Sequence, residues 1–221
     1  MEGLLVTIDG PAGSGKSSVA RAVAERLGLV NLNTGAAYRA VALLALQEDA
    51  DPSDPDTLPT LASRVGLGVE EARIDGQTVP EGELRTPEVT AVASQVSAHP
   101  AVREVLLNVQ RSAADEARKS GGAVVEGRDI GTVVLPDAEV KVFLFAAPEE
   151  RARRRAVQSG REGELERIQA AMLLRDQRDA EREASPLKAA SDAVVIDTTG
   201  LSLEDVVSQV VGLAERNKNH E

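Results

Sequence analysis

The 221-residue sequence contains no cysteine, no tryptophan and only two histidines, which excludes several kinds of site at once. Without cysteine there is neither a disulfide nor a thiolate metal site, and two histidines are too few for a histidine-rich metal centre. Aromatic residues are nearly absent too, since Tyr38, Phe143 and Phe145 are the whole set. A tyrosine inside a motif is therefore more informative here than in most sequences.

Long apolar runs are also missing. The apolar stretches are short pieces such as 140–147, which Lys141 interrupts, and none approaches the about 20 residues that cross a bilayer. The chain begins directly with a strand pattern, so we expect no signal peptide, no membrane association and a cytoplasmic protein. The net charge of −11 also disfavours a nucleic-acid partner, because an acidic surface repels a polyphosphate backbone.

The basic residues are mostly arginine, and they are clustered. Of the 25 basic residues only five are lysine, and nine of the 20 arginines lie between Arg151 and Arg182. Arginine offers a planar fork of donors that binds phosphate through two hydrogen bonds. A general preference for arginine explains much of the ratio but not the clustering, which favours a phosphate-facing segment.

Strand-like runs alternate with helical patterns along most of the chain. Strands are predicted at 4–8, 29–32, 123–125, 140–145 and 193–196, and helices at 17–27, 36–48, 89–97, 102–119, 149–158, 164–182 and 203–216. Such alternation is typical of an α/β fold with a parallel sheet covered by helices on both faces. The proline-rich, acidic stretch 49–85 interrupts it, and we expect a small inserted subdomain there with a hairpin near 73–79.

A phosphate-binding loop follows the first predicted strand. The run Gly10-Pro11-Ala12-Gly13-Ser14-Gly15-Lys16-Ser17 fits G-x-x-x-x-G-K-[ST] at every position and opens a predicted helix. Glycines let backbone N–H groups surround an anion, and the helix N-terminus adds a positive end. We expect this P-loop, with Ser18, to bind ATP, Lys16 to reach the β- and γ-phosphates, and Ser17 to ligate Mg²⁺. A chance glycine-rich turn is the alternative.

The P-loop alone does not identify the phosphoryl acceptor, but absent motifs narrow the choice. The chain has no Asn-Lys-x-Asp run of the kind that reads guanine in GTPases. It has no apolar strand ending in Asp-Glu, as in many P-loop motors. The second strand ends in Asn33-Thr34-Gly35 rather than the Asp-x-Asp of shikimate-kinase-like enzymes.

Thr34, Tyr38 and Arg39 lie just past the second predicted strand. In a doubly wound sheet, ligands bind beyond the carboxyl ends of the strands, so a hydroxyl, a phenol and a guanidinium there are suited to a second phosphorylated molecule. A threonine helix cap followed by a surface arginine is the alternative.

Glu126-Gly127-Arg128-Asp129 follows the strand predicted at 123–125. Arg128 is suited to neutralise the transferring phosphoryl group, as this chemistry requires, and Glu126 to hold a Mg²⁺-bound water. A solvated ion pair in a loop is the alternative.

Two arginine-rich helical segments complete the candidates. Arg175, Arg178, Asp179 and Arg182 are spaced i, i+3, i+4, i+7, which predicts one charged helical face, either polyphosphate-facing or simply solvated. Upstream, Arg151, Arg154 and Arg155 begin a basic helix that ends near a glycine-flanked segment. That pattern is typical of a lid that closes over reacting phosphates, with a helix carrying surface arginines as the alternative.

Together these motifs resemble the bacterial cytidylate kinase family over nearly the full length. The resemblance is carried by Thr7-Ile8-Asp9-Gly10-Pro11, Thr34-Gly35-Ala36-Ala37-Tyr38-Arg39, Arg85-Thr86-Pro87-Glu88-Val89, Ala93-Ser94-Gln95-Val96-Ser97, Pro100-Ala101-Val102-Arg103, Glu126-Gly127-Arg128-Asp129-Ile130-Gly131-Thr132-Val133-Val134, Arg175-Asp176-Gln177-Arg178-Asp179, Ser185-Pro186-Leu187 and Ala190-Ser191-Asp192-Ala193. The Gly-Arg-Asp-Ile-Gly-Thr-Val-Val and Arg-Thr-Pro-Glu-Val blocks are specific to that family, whereas the P-loop is not.

The resemblance implies a kinase that transfers the γ-phosphoryl group of ATP to CMP or dCMP with Mg²⁺. We also expect a monomer, an expectation to which no motif contributes. The resemblance implies a CMP site in which Ser94, Arg103 and Asp129 read cytosine, Arg39 and Arg128 hold the acceptor phosphate, Tyr38, Arg175 and Asp179 contact the ribose, and Arg178 and Arg182 face the phosphates or close the cleft. It also implies a P-loop core at 1–48, 87–148 and 164–221, a CMP-binding subdomain at 49–86 and a lid at 149–163. Lys16, Arg128 and Arg178 are the expected catalytic residues.

Two rival functions remain open from the sequence. One is a related P-loop kinase of the adenylate or UMP/CMP type. The other is a nucleotide-binding switch without an acceptor, which has no reason to keep the Arg128, Arg175 and Arg178 constellation.

Overall fold

The computed structural model describes residues 3–69, 71–182 and 184–218, and its contacts divide the chain into two compact units. The first unit comprises residues 30–123 with Gly3, and the second comprises 4–29 and the described residues from 124 onward. In sequence the first unit is therefore an insertion within the second. Within the described ranges, no helix combines the length and apolar character needed to cross a bilayer.

The strands of the described residues are, in chain order, β1 (Leu4–Asp9), β2 (Val30–Asn33), β3 (Val65–Gly68), β4 (Glu71–Ile74), β5 (Gln77–Val79), β6 (Gly122–Gly127), β7 (Val140–Phe145) and β8 (Val194–Asp197). The α-helices are α1 (Lys16–Leu27), α2 (Gly35–Gln47), α3 (Thr57–Ala62), α4 (Glu81–Leu84), α5 (Pro87–Val96), α6 (Pro100–Lys119), α7 (Pro148–Ser159), α8 (Leu165–Glu181) and α9 (Leu203–Lys218). A π-helical turn spans Ile130–Val134, and a 3₁₀ turn spans Glu162–Glu164.

The second unit is built on parallel strands. Its strands lie in the order β6-β1-β7-β8, and β7 pairs in parallel with both β1 and β8. Every residue of β1 is buried, as expected of a strand covered on both faces. Val19 and Val23 of α1 and Val207 and Val210 of α9 pack into the same apolar core. The predicted α/β architecture, a parallel sheet flanked by helices, is confirmed.

The first unit has a separate core, which is mainly helical. Val41 of α2, Leu58 of α3, Val96 of α5 and Leu106 of α6 are fully buried in one apolar cluster. A small antiparallel sheet in the order β3-β4-β5 adds Ala72 and neighbouring apolar side chains to that cluster.

The hairpin predicted near 73–79 is confirmed. Strands β4 and β5 are antiparallel, with Arg73 opposite Thr78, and the turn residues Asp75 and Gly76 have φ values of 52° and 79°. Two successive left-handed residues are the condition of a tight type I′ turn, which Asp-Gly accepts at low cost. The sequence did not predict β3, α3 or α4, because each has no more than six residues and too little periodicity to detect.

Candidate active site

The P-loop connects β1 to α1, and its glycines are required by the space around them. Gly10 has a φ of 147°, and a Cβ there would lie 2.0 Å from the Leu144 carbonyl oxygen. Gly13 has a φ of 74°, and a Cβ there would lie 2.7 Å from the Met172 Cε atom. The loop therefore packs closely against β7 and α8 within the second unit, and only glycine leaves room for that packing at these two positions.

Lys16 is the first residue of α1, and its ammonium group turns back into the loop. Nζ donates a hydrogen bond to the Pro11 carbonyl oxygen at 2.6 Å and lies 3.5 Å from Ser14 Oγ. Its side chain is buried, and burial together with the Arg128 guanidinium holds the pKa of Lys16 well below its usual value, although Glu126 acts in the opposite direction. A cation in this position is therefore stabilised by any anion that the loop receives.

Ser17 and Glu126 form the candidate metal position. The Ser17 hydroxyl donates to Glu126 Oε2 at 2.7 Å, which places two oxygen ligands of the kind that Mg²⁺ prefers beside Lys16. Across the part of the chain that the structure describes, no three Asp, Glu or His residues are grouped to hold a metal by themselves. The donor set therefore fits a Mg²⁺ that takes its other ligands from nucleotide phosphates and water.

Arg128 lies after β6 and joins α8 through Asp179. Its Nε donates to Asp179 Oδ2 at 3.1 Å, and the Asp179 side chain is only 5% exposed. Arg175 lies one helical turn earlier, where burial and Arg128 lower its pKa to about 10. Lys16, Arg128 and Arg175 thus act on one another as like charges, an arrangement that an incoming phosphate relieves.

The charged face predicted on α8 is only partly present. Asp179 is buried and Arg175 is partly buried, while Arg182 follows the helix end and places its Nη1 3.8 Å from Asp179 Oδ1. Arg178, by contrast, is exposed. The structure brings Arg128, Arg175, Asp179 and Arg182 together and leaves Arg178 at the surface.

The three arginines predicted for a lid lie on α7 and differ in their surroundings. Arg151 is buried, donates to the carbonyl oxygens of Ala146 and Ala12 at 3.0 and 3.1 Å, and forms an ion pair with Asp176. It therefore joins α7, the P-loop and α8 within the second unit.

All three guanidinium nitrogens of Arg154 donate hydrogen bonds. Its Nε donates to Glu150 Oε1 at 2.8 Å, and its Nη1 and Nη2 donate to the hydroxyl and carbonyl oxygens of Thr198 at 2.9 and 2.6 Å. The Thr198 hydroxyl in turn contacts the Ser14 carbonyl oxygen at 3.2 Å. Arg155 donates to Gln158 Oε1 at 2.9 Å and is close enough to Arg175 to lower its pKa.

The base-side residues predicted from the resemblance lie mostly in the first unit. The Arg103 guanidinium sits 5.4 Å from the centroid of the Tyr38 ring, a cation–π geometry, and donates to the Ser97 carbonyl oxygen at 3.2 Å. Arg39 donates to Asn33 Oδ1 at 3.4 Å. These contacts hold Tyr38, Arg39 and Arg103 within one unit and link Arg103 to the end of α5.

Ser94, Thr34 and Asp129 are buried polar groups. The Ser94 Oγ atom has no hydrogen-bond partner among the described residues, although the residue is only 9% exposed. Thr34 occupies the N-cap position of α2 without a side-chain capping hydrogen bond, so the simple helix-cap alternative does not account for it. Asp129, in the second unit, immediately precedes the π-helical turn.

Three residues of this region, Asp9, Asp176 and Thr198, were assigned no role from the sequence, although the first two lie within the motif blocks that carry the resemblance. Asp9 ends β1, and its carboxylate accepts hydrogen bonds from the Ile130 and Gly131 amides at 2.9 and 2.8 Å. Burial raises its pKa to about 6, although both amide hydrogen bonds act against that shift. The available signals were its place in the Thr7-Ile8-Asp9-Gly10-Pro11 block and an acidic residue at the end of a mostly apolar strand, directly before the P-loop.

Comparison with known proteins gives a family match over most of the chain. The model of the family described as cytidylate kinase matches residues 6–216. The chain is 44% identical to the cytidylate kinase of Corynebacterium efficiens, over 96% of this chain and 95% of that protein. It is also 44% identical to the cytidylate kinase of Limosilactobacillus fermentum, over 98% of this chain and 97% of that protein.

A bifunctional pantoate ligase/cytidylate kinase from Prochlorococcus marinus is 46% identical over 95% of this chain, which spans only 44% of that longer protein. Among solved structures, an uncharacterized protein from Eubacterium ventriosum aligns with a TM-score of 0.57 at 13% identity, over 96% of this chain and 98% of that one. A gluconokinase from Sinorhizobium meliloti aligns with a TM-score of 0.50 at 16% identity, over 99% and 95%. At such identities these two likenesses show the fold alone.

Proposed function

The chain belongs to the cytidylate kinase family, and from this premise we propose that it transfers the γ-phosphoryl group of ATP to CMP or dCMP, giving ADP and CDP or dCDP. The observation that supports this most is the concentration of Lys16, Arg128 and Arg175 in the second unit, where burial and mutual repulsion lower the pKa values of Lys16 and Arg175. Such a cluster is suited to hold the charge of phosphates that meet over the P-loop.

The reaction needs alignment and charge neutralisation more than it needs a base. The attacking phosphate oxygen of a nucleoside monophosphate is already anionic, so no strong proton acceptor is required. Lys16 and the P-loop amides hold the β- and γ-phosphates, while Arg128 neutralises charge on the transferring group. Arg178, which is exposed in the structure, is proposed to face the phosphates or to close the nucleotide cleft.

Acceptor recognition is proposed for the residues that match the family motifs. Ser94, Arg103 and Asp129 supply a donor, a cationic fork and an acceptor for cytosine, while Arg39 and Arg128 hold the acceptor phosphate. Thr34, Tyr38, Arg175, Asp179 and Arg182 complete the ribose and phosphate contacts. We assign an inserted CMP-binding subdomain to 49–86, a lid containing Arg151, Arg154 and Arg155 to 149–163, and the P-loop core to 1–48, 87–148 and 164–221.

Mg²⁺ is the proposed cofactor, with the Ser17 hydroxyl as a direct ligand and Glu126 acting through water. When bound with ATP, the ion supplies positive charge between the phosphates and polarises the transferring group. Ser17 and Glu126 keep their oxygens together through a 2.7 Å hydrogen bond. A cytoplasmic monomer without nucleic-acid or membrane partners remains our expectation from the sequence.

An acceptor panel tests the function directly. ADP formation is measured in a coupled assay with CMP, dCMP, UMP and AMP at equal concentrations. We expect kcat/KM for CMP and dCMP to exceed that for UMP and AMP by at least about tenfold, because buried polar groups that read one base reject bases that leave them unpaired. A preference for AMP, or equal use of UMP and CMP, would contradict the proposal in favour of the adenylate or UMP/CMP type.

Replacing Asp129 with alanine is expected to damage base selection more than ATP binding. Removal of a buried acceptor for the base should reduce kcat/KM for CMP about 10²-fold. The reduction for UMP should be smaller, and the Kd of ATP should stay within about threefold. Parallel kinetics with both acceptors and calorimetry with ATP check this. A uniform loss for all acceptors would mean that Asp129 supports the site without reading the base.

A further inference from the structure

Asp9 occupies a position between the P-loop and the loop that carries Arg128. It is the last residue of β1, directly before Gly10, and only 4% of it is exposed. Its Oδ1 accepts a hydrogen bond from the Ile130 amide at 2.9 Å, and its Oδ2 accepts one from the Gly131 amide at 2.8 Å. Both carboxylate oxygens thus accept hydrogen bonds from two consecutive backbone amides that lie far from Asp9 in the sequence.

These two hydrogen bonds fix the start of the π-helical turn on β1. The first amides of a helical turn have no partner within the turn itself, and an ionised carboxylate is a strong acceptor for them. The turn is also pressed closely onto the strand, since a Cβ at Gly131 would lie 3.0 Å from Thr7 Oγ1. Arg128 and Asp129 come immediately before this anchored point, so their backbone is held by it.

We propose that Asp9 is a positioning residue for phosphoryl transfer. Its ionised carboxylate holds the turn at Ile130 and Gly131 and so keeps Arg128 correctly placed relative to Lys16. This inference rests on the proposed kinase function, because the relative placement of the two cations matters only if both act on one phosphoryl group. In this proposal Asp9 itself contacts no substrate. Its effect passes through the backbone of the Arg128 loop.

The charges around Asp9 determine when this contact is intact. Burial raises the pKa of Asp9 to about 6, Asp129 raises it further, and the two amide hydrogen bonds and Lys16 act in the opposite direction. Lys141 of β7, beside the turn, is engaged by Asp192 at 2.7 Å. A protonated carboxyl group has lost one acceptor site. The contact is therefore lost in half of the molecules at about pH 6, and it is complete only well above that pH.

The primary test is the Asp9→Asn enzyme with ATP and CMP. Asparagine keeps the shape of aspartate but offers one acceptor oxygen, and its NH₂ group faces an amide donor. We expect kcat to fall about 10- to 100-fold, with both KM values within about threefold, because the change misplaces Arg128 without removing a substrate contact. The matched control Asp137→Asn changes an exposed aspartate of the same unit and should leave kcat unaltered.

The pH dependence separates positioning from simple structural support. The ratio of wild-type to Asp9→Asn kcat should be largest near pH 8 and approach one near pH 5, since the wild-type carboxyl group then also lacks an acceptor. Substrate phosphates titrate identically in both assays, so their contribution cancels in the ratio. A ratio that does not change with pH, or a variant with kcat within twofold of wild type, overturns the proposal.

A measurement on the wild-type protein covers the case in which the variant does not fold. Amide resonances of Ile130 and Gly131 are followed by NMR across this pH range without substrates. We expect both to shift with a common midpoint near 6, and their failure to shift overturns the proposal. Wild-type turnover of CMP is measured separately. Its absence would refute the proposed function alone, whereas normal turnover with an unaffected variant would refute only the role of Asp9.

Discussion

Replacement of Lys16 with methionine is expected to lower kcat by at least about 10³-fold while leaving the fold intact. Methionine keeps most of the side-chain volume but removes the charge that should contact the β- and γ-phosphates. In the free protein Lys16 is buried, with its ammonium group bonded to the Pro11 carbonyl oxygen. No oppositely charged group is hydrogen-bonded to it among the described residues. The charge thus serves the bound nucleotide more than it serves the free fold.

The Lys16→Met variant should lose activity without losing thermal stability. Burial and Arg128 lower the pKa of Lys16 in the folded protein, so the unfolded chain binds this proton more readily. Between the lowered and the ordinary pKa, the free energy of unfolding therefore rises with pH, and below that window protonated Lys16 opposes folding. We expect Tm at pH 7 to be unchanged or slightly raised in Lys16→Met, and the rise in stability with pH to be lost.

Lys119→Met is the matched control, because Lys119 is exposed in the last turn of α6. The measurements are steady-state kinetics with ATP and CMP, and thermal unfolding from about pH 6 to about pH 9. A Lys16→Met enzyme with kcat within tenfold of wild type would remove Lys16 from the mechanism. A marked fall in Tm would mean that the lysine has a structural role that the geometry does not reveal.

The features that the sequence predicted well are those with short-range signals. The P-loop glycines, the Asp75-Gly76 turn and the apolar run of β7 each carry their structural requirement within a few residues. Gly10 must be glycine because of its positive φ and the nearby Leu144 carbonyl oxygen, and a motif pattern records that need directly. Such local requirements also located most helices, whose ends differ from the prediction by only a few residues.

The features that the sequence did not predict depend on partners far along the chain. Arg151 stands in a run of similar arginines, and nothing local distinguishes it from Arg153. The structure buries Arg151 against the Ala12 carbonyl oxygen and Asp176, whereas the Arg153 side chain is 63% exposed. Asp9 is a comparable case, since its partners, the amides of Ile130 and Gly131, lie 121 and 122 residues further along the chain in a rare π-helical turn.

The charged face of α8 shows a limit of predicting burial from the i, i+3, i+4, i+7 spacing of a helix. Residues of an α-helix are separated by about 100°, so Arg178 and Asp179 point in clearly different directions even when both fit a broad stripe. Packing of the second unit buries the side of α8 that carries Asp179, which turns Arg178 toward solvent. Arg182 lies beyond the helix end at Glu181, and its position is therefore not set by helical periodicity.

Arg128→Met is the second variant with a large expected effect, a fall in kcat of about 10²- to 10³-fold. Its guanidinium is fixed by Asp179 at 3.1 Å and also donates to the Gly127 carbonyl oxygen at 3.3 Å, leaving further N–H groups for phosphate oxygens. Arg128→Lys should recover only a small part of the loss, because a single ammonium group cannot bind Asp179 and a phosphate in the same planar geometry. The kcat that Arg128→Lys recovers over Arg128→Met measures the contribution of charge, and its remaining deficit against wild type measures the contribution of the guanidinium geometry.

The stability of Arg128→Met should change little, because two effects oppose each other. Asp179 loses a partner in a buried position, although Arg182 remains 3.8 Å away. At the same time, repulsion on Lys16 and Arg175 is relieved, since Arg128 contributes to the lowered pKa of both. We expect a net change in the free energy of unfolding within about 2 kcal/mol, measured by urea denaturation. Arg175 adds no pH dependence near neutrality, because its pKa of about 10 keeps it protonated in both folded and unfolded states.

Arg216→Met, an exposed change on α9, controls for the loss of one arginine from the surface. If Arg128→Met retained kcat within threefold of wild type and Arg216→Met behaved identically, Arg128 would not act on the transferring phosphoryl group. If Arg128→Met instead raised only the KM for CMP, its role would be limited to binding the acceptor phosphate. A fall in kcat at saturating concentrations of both substrates is the result that assigns Arg128 to the transfer step, because only interactions that strengthen in the transition state change that quantity.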